Sequence, residues 1–194
     1  GPHWWARLIR QQRGLMVLME NVYNPHNLGA IARSCDAFGV HHVGYTLDDH
    51  EPFDPTIIGK FSSTSASKWL DFRTFETGTT ACFNTLKAEG WHILATIVTP
   101  GTPSLYDFDF TRHDKLVLLV GNEKNGLSKT AIRLTDSAIT IPMYGMTRSF
   151  NVSVATAITL AEIVRQRRQQ PERFLLDDAK ADALTIELLQ RRNP

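Results

Sequence analysis

Six short apolar runs, several with helical patterns between them, constrain this chain more than any other feature. They are LMVLME (15–20), HHVGYTL (41–47), WLDFRTF (69–75), HILATIV (92–98), KLVLLVG (115–121) and AITIPM (138–143). Such runs read as strands buried on both faces. Helical patterns occupy 27–38, roughly 78–89 and 127–134, and a long helix is expected over 150–169, stopped by Pro171. A further amphipathic helix is expected over 177–191, with Ala179, Ala183, Ile186 and Leu189 on its apolar side. Buried strands alternating with helices predict an α/β domain: a parallel sheet with helices on both faces. The 194 residues suffice for one such domain with a real core, and no repeat or low-complexity linker divides them.

Several function classes drop out. The first βα junction, ENVYNPHNLG, lacks GxGxxG, and no GxxxxGK[ST] loop occurs anywhere, which excludes the usual dinucleotide and P-loop readings. No apolar run approaches the roughly 20 residues needed to span a bilayer. The two cysteines, Cys35 and Cys82, form no CxxC, and the seven histidines show no HxxxH or paired Cys/His spacing. A reducing, cytoplasmic setting and no protein-bound metal are therefore expected. Gly1-Pro2 resembles a tag remnant, so the native N-terminus and any targeting peptide are expected to lie outside this sequence. The net charge of +1 does not announce a nucleic-acid binder. Arginines nevertheless gather at the ends: Arg7, Arg10 and Arg13, then Arg165, Arg167, Arg168, Arg173, Arg191 and Arg192. They suit either phosphate contacts or solvated helix ends.

The segment NPHNLGAIARSCDAFGV (24–40) has a second peculiarity. Asn24 or Asn27 can cap its helix, and Pro25 suits the first turn. Leu28, Ile31, Cys35 and Phe38 make one apolar stripe, yet Arg33 lies off it among Gly29, Ala30, Asp36 and Ala37. Such bare surroundings suit something bulky approaching the backbone. Three further strand ends, ATIVTPGTP, LVGNEKNGLS and IPMYGMTRSFNVSVATA, join glycine or proline to small polar groups. Ligands of open α/β sheets bind at such carboxyl ends, so the three loops point to one pocket.

NPHNLGAIARSCDAFGV, LLVGNEKNGLS and IPMYGMTRSFNVSVATAITLAEI together resemble, in order and separation, the three motifs of the SPOUT-superfamily RNA 2′-O-methyltransferases of TrmH type. The resemblance runs from about residue 15 to 168. It implies a C-terminal deep trefoil knot, which generic topology rules exclude. It also implies S-adenosylmethionine bound in the knot, a homodimer with shared active sites, and methyl transfer to a ribose 2′-hydroxyl in structured RNA. A tRNA guanosine is the first substrate and rRNA the second. A non-catalytic RNA-binding or assembly factor is the alternative outside enzymes. The chain then divides into an N-terminal helical extension (1–14), a methyltransferase domain (15–169) and a C-terminal helical extension (170–194).

The resemblance assigns the acceptor side to Asn27, Arg33, Glu123, Ser149 and Asn151. Arg33 is the proposed general base, but guanidinium stays protonated below a pKa of about 12, so a bidentate phosphate clamp stands beside that role. Asn27 orients the hydroxyl or Arg33, or merely caps its helix. Glu123 anchors an arginine or the cofactor loop, or is a solvated turn residue, and Ser149 and Asn151 are each alternatively a cap of the long helix. For the cofactor the resemblance points to Thr96, Gly121, Ile141, Met143 and Phe150, with Ile141 and Met143 forming an apolar adenine slot. Phe150 departs from the family's usual leucine. Ser153, Ala155, Ala157 and Ala161 give the long helix a small-residue face suited to close packing, between chains or within one.

Overall fold

The computed structural model describes residues 11–192. Its strands are β1 (Leu15–Glu20), β2 (His42–Thr46), β3 (Asp71–Phe75), β4 (His92–Thr96), β5 (Leu116–Val120) and β6 (Ser137–Ile139). The α-helices are α1 (Pro25–Phe38), α2 (Thr56–Ser62), α3 (Thr79–Ala88), α4 (Lys129–Leu134), α5 (Val152–Arg167), α6 (Pro171–Phe174) and α7 (Asp178–Arg192). The strands form one sheet in the order β3-β2-β1-β5-β4-β6, and every neighbouring pair is parallel. The expected α/β architecture is thus present.

Alternation along β1 sorts the core into two layers. Leu15, Val17 and Met19 pack with α1, α2 and α5 through Ile31, Phe61 and Leu160. Met16 and Leu18 pack on the opposite face with Phe83 and Leu86 of α3 and Ala131 of α4. Asn24 caps α1 by accepting from the His26 N–H at 2.9 Å, and Gly39, at φ 73°, closes it in the left-handed conformation. Asn27 is inside the helix and does not cap it. Leu28, Ile31 and Cys35 are fully buried, as the stripe predicts.

Four expectations are corrected. The sixth strand ends at Ile139, not 143. Thr140 donates its N–H to the Pro103 carbonyl and its own carbonyl accepts from Leu105, so the chain leaves the sheet, and Pro142 has no N–H with which to return. Helix α2 and a 3₁₀ turn at Ser67–Trp69 fill a stretch without a predicted helix. The long helix ends at Arg167, and Pro171 opens α6 instead of stopping α5. Finally, α7 buries Ala181, Leu184 and Leu188 beside Trp69. Ala179, Ala183, Ile186 and Leu189 face outward.

Candidate active site

A cleft of about 380 Å³ opens beyond the carboxyl ends of β4 and β5. Thr96 closes β4 at its floor, the loop 121–127 after β5 forms one wall, and Ile141, Met143 and the segment 148–150 form the other. All five residues assigned to the cofactor, Thr96, Gly121, Ile141, Met143 and Phe150, line it, as do Glu123 and Ser149.

Backbone approach explains Gly121. A Cβ there would lie 2.6 Å from Gly126 C and Leu127 N, so only glycine lets the loop fold back on its strand. Asn122 and Gly126 close that loop with reciprocal backbone hydrogen bonds of 2.9 and 3.0 Å, and Gly126 takes φ 71°. The Asn122 Oδ1 accepts from the N–H groups of Lys124 and Asn125, both at 2.9 Å.

Glu123 joins this wall to α1. Its Oε1 accepts from the backbone N–H of Asn24 at 2.8 Å and of Tyr23 at 3.2 Å, and its Oε2 accepts from Asn122 Nδ2. Among the described residues no arginine is bonded to it. A carboxylate beside the start of α1 also suits the helix dipole. Asn151, not Ser149, caps α5: its Oδ1 accepts from Ser153 N–H at 2.9 Å. Ser149 is exposed, two residues before that cap. The Asn151 Nδ2 donates to Asn27 Oδ1 at 3.3 Å, so Asn27 meets Asn151 instead of Arg33. Asn27, Glu123 and Asn151 thus bind the β1–α1 junction to the cleft walls.

Arg33 is not brought into the cleft by its own chain. It is exposed, and none of the hydrogen bonds or ion pairs described here involves its side chain. Nor does its own chain require Gly29, because a Cβ there meets only Thr64 Cγ2 at an ordinary 3.6 Å.

Two positioning residues escaped the sequence reading. Glu20 is fully buried at the end of β1, and its carboxylate accepts from Ser128 N–H and Oγ–H, both at 2.8 Å, and from the Thr79 hydroxyl. Asn21 follows at φ 57°. Its side chain exchanges hydrogen bonds with Asp48, and its carbonyl accepts from Asn122 Nδ2 at 2.7 Å. The available signal was a carboxylate closing an otherwise apolar strand, since a buried charge demands partners.

The terminal arginines are mostly committed. Arg165 pairs with Glu162, Arg173 with Asp114 and Arg191 with Glu187. Arg167 is fully buried: it donates to Gln12 Oε1 and to the carbonyls of Arg13, Gly14, His113 and Asp114. Burial, chiefly, pulls its guanidinium down to about 10, so it remains charged at neutral pH. Arg7 and Arg10 lie outside the described residues. Among the described residues, no three His, Cys, Asp or Glu side chains converge as a metal site, and no helix is long and apolar enough to cross a membrane.

Comparison with known proteins places this geometry. Residues 14–161 match the profile of the SpoU rRNA Methylase family. A tRNA (guanosine(18)-2′-O)-methyltransferase of Escherichia coli K12 is 37% identical over 186 residues, 93% of this chain and 77% of that protein. The crystal structure of the A. aeolicus TrmH/SpoU tRNA modifying enzyme superposes with a TM-score of 0.79 at 30% identity, covering 98% of this chain and 94% of that one. The SpoU methyltransferase AviRb from Streptomyces viridochromogenes, in complex with AdoMet, gives a TM-score of 0.65 at 31% identity over 84% of this chain and 64% of that one.

Proposed function

From the premise that this chain belongs to the SpoU rRNA Methylase family, we propose that it methylates a tRNA guanosine at the ribose 2′-hydroxyl, using S-adenosylmethionine. The observation that carries this is the single cleft lined by all five proposed cofactor residues together with Glu123 and Ser149. rRNA is the second candidate substrate.

The residues present suit the cofactor. The Thr96 hydroxyl oxygen is buried at the cleft with no hydrogen-bond partner among the described residues, an unmet polar group for a ligand to satisfy. Gly121 lets the 121–127 loop fold back to form the cleft wall, and Ile141 and Met143 with Leu127 and Ile132 offer an apolar slot for a purine. S-adenosylmethionine supplies a methyl group already activated on a sulfonium, so the chain's task is positioning. Asn27 and Asn151 fix the α1–α5 seam, Glu123 fixes the start of α1, and Arg33 clamps the acceptor phosphate or accepts the hydroxyl proton. Ser149 stands at the cleft mouth.

The protein acts as a cytoplasmic homodimer in this proposal. Arg33 does not line the cleft of its own chain, so a partner's α1 completes each site. Val154 of α5 is 46% exposed, and Tyr144 and Met146 are almost wholly so, which supports a self-complementary contact there. We assign the C-terminal segment to a trefoil knot. After β6 at the sheet edge the chain returns to α5 against α1, while Gln166 of α5 bonds the connection before β5 through Phe108 and Phe110. The extensions at 1–14 and 170–194 grip the tRNA body in this reading.

Calorimetry with S-adenosylmethionine, with and without a chelator, tests the cofactor assignment; failure to bind, or dependence on metal, overturns it. Ribose-methylation mapping on methyl-free tRNA and rRNA transcripts tests the substrate. Modification of a tRNA guanosine is expected, modification of rRNA alone replaces the substrate, and transfer to neither favours the non-catalytic assembly factor. Light scattering is expected to give about twice the chain mass of 21.9 kDa.

A further inference from the structure

Any cleft that holds S-adenosylmethionine must accommodate a sulfonium cation, and this cleft offers it little ordinary countercharge. The one acid in the lining is Glu123, and its carboxylate is already engaged by Tyr23 N–H, Asn24 N–H and Asn122 Nδ2. The two charged side chains beside it, Lys124 and Arg148, are cations. Among the described residues the lining contains one aromatic ring, Phe150, which is 37% exposed. An aromatic face attracts a cation electrostatically and does so more strongly when water is excluded.

Phe150 also adjoins two residues proposed above for the acceptor side. It lies between Ser149, in the cleft wall, and Asn151, whose amide reaches Asn27 on α1. The apolar side chains Ile132, Ile141 and Leu127 supply the slot for a neutral purine without it. In the cofactor reading proposed above, the methyl group faces the acceptor residues Asn27, Ser149 and Asn151, and Phe150 stands between the last two in sequence.

We propose that the Phe150 ring holds the sulfonium charge by a cation–π contact and so lets the protein distinguish the charged methyl donor from its neutral demethylated product. The inference rests on the cofactor assignment above. A leucine or isoleucine at 150 fills space but has no π face. The consequence is selective release: loss of the methyl group removes the charge, and with it the part of the affinity that Phe150 supplies.

Calorimetric dissociation constants for three ligands separate this from packing: S-adenosylmethionine (sulfonium), sinefungin (ammonium) and S-adenosylhomocysteine (neutral thioether). In Phe150→Leu the two cations are expected to bind about three- to tenfold more weakly, with the thioether within twofold of wild type. Phe150→Tyr is expected to restore the preference. Equal weakening of all three ligands would mean that the ring stacks on the purine or merely packs, and overturns the inference. Unchanged affinities in Phe150→Leu also overturn it. A wild-type protein that binds none of the three overturns the cofactor assignment itself, a distinct outcome.

Discussion

Gly121→Ala tests whether the wall of the cleft depends on a backbone contact that no side chain can share. The added methyl would stand 2.6 Å from Gly126 C and Leu127 N and 2.8 Å from Gly126 O, where ordinary contact begins at 3.4 Å. Those atoms are backbone, so no rotamer relieves the clash. The loop is also held from three sides: by the Asn122–Gly126 hydrogen bonds, by Asn122 Nδ2 on the Asn21 carbonyl, and by Ser128 on the buried Glu20 carboxylate. Overpacking of this kind costs about 1–3 kcal/mol. For a chain of this size that lowers Tm by about 2–10 °C. Displacing the wall is expected to weaken S-adenosylmethionine by at least about tenfold, which is roughly 1.4 kcal/mol. Gly126→Ala is the matched control. There φ is 71° but nothing lies within 4 Å of the new Cβ, so the cost is conformational strain of about 1–2 kcal/mol without a clash. Thermal melts and calorimetry on both variants compare the mechanisms. A Gly121→Ala protein with wild-type melting and wild-type affinity would refute the argument from close approach.

Arg33→Ala is expected to lose most methyl transfer while binding S-adenosylmethionine normally, and near wild-type single-turnover rates would reduce Arg33 to a surface charge. Arg33→Lys, assayed across a pH series, separates its roles: a bidentate clamp fails with lysine at every pH, whereas a base recovers at high pH, given lysine's reference pKa of about 10.4. Burial, helped by a neighbouring histidine in each case, holds His41 and His92 below their ordinary value. The unfolded chain then takes up those protons first, so stability is expected to fall as pH drops through the ordinary histidine value of about 6.5 and below. Urea midpoints across that range check the sign, and His92→Gln, which keeps a partner for the Ser137 hydroxyl, should flatten the slope; an unchanged slope contradicts the assignment. Arg167→Met leaves the carbonyls of Arg13, His113 and Asp114 without their donor, and is expected to cost about 3–5 kcal/mol in chemical denaturation. A loss below about 1 kcal/mol would show that water replaces the guanidinium.

Local patterning determined much of this protein. The apolar runs 15–20 and 115–121 read as buried strands, and Leu28, Ile31 and Cys35 announced the buried side of α1, because burial on a periodic element leaves a periodic record. The three motif loops converge on one cleft for a related reason: in a parallel sheet, strand ends that carry loops face the same way. Tertiary structure decided the rest. Arg167 and Arg165 lie on one helix, yet the first is buried against carbonyls and the second pairs at the surface with Glu162. Composition cannot separate them, since the difference arises from where α5 docks. Of the two candidate caps of α5 the folded chain uses Asn151, whose amide also meets Asn27, 124 residues away in sequence. The buried Glu20 waits on Ser128, 108 residues distant, for the partner that makes its charge tolerable. A sequence records which groups must be satisfied. Which group satisfies them is a long-range pairing, and only the folded chain brings the partners together.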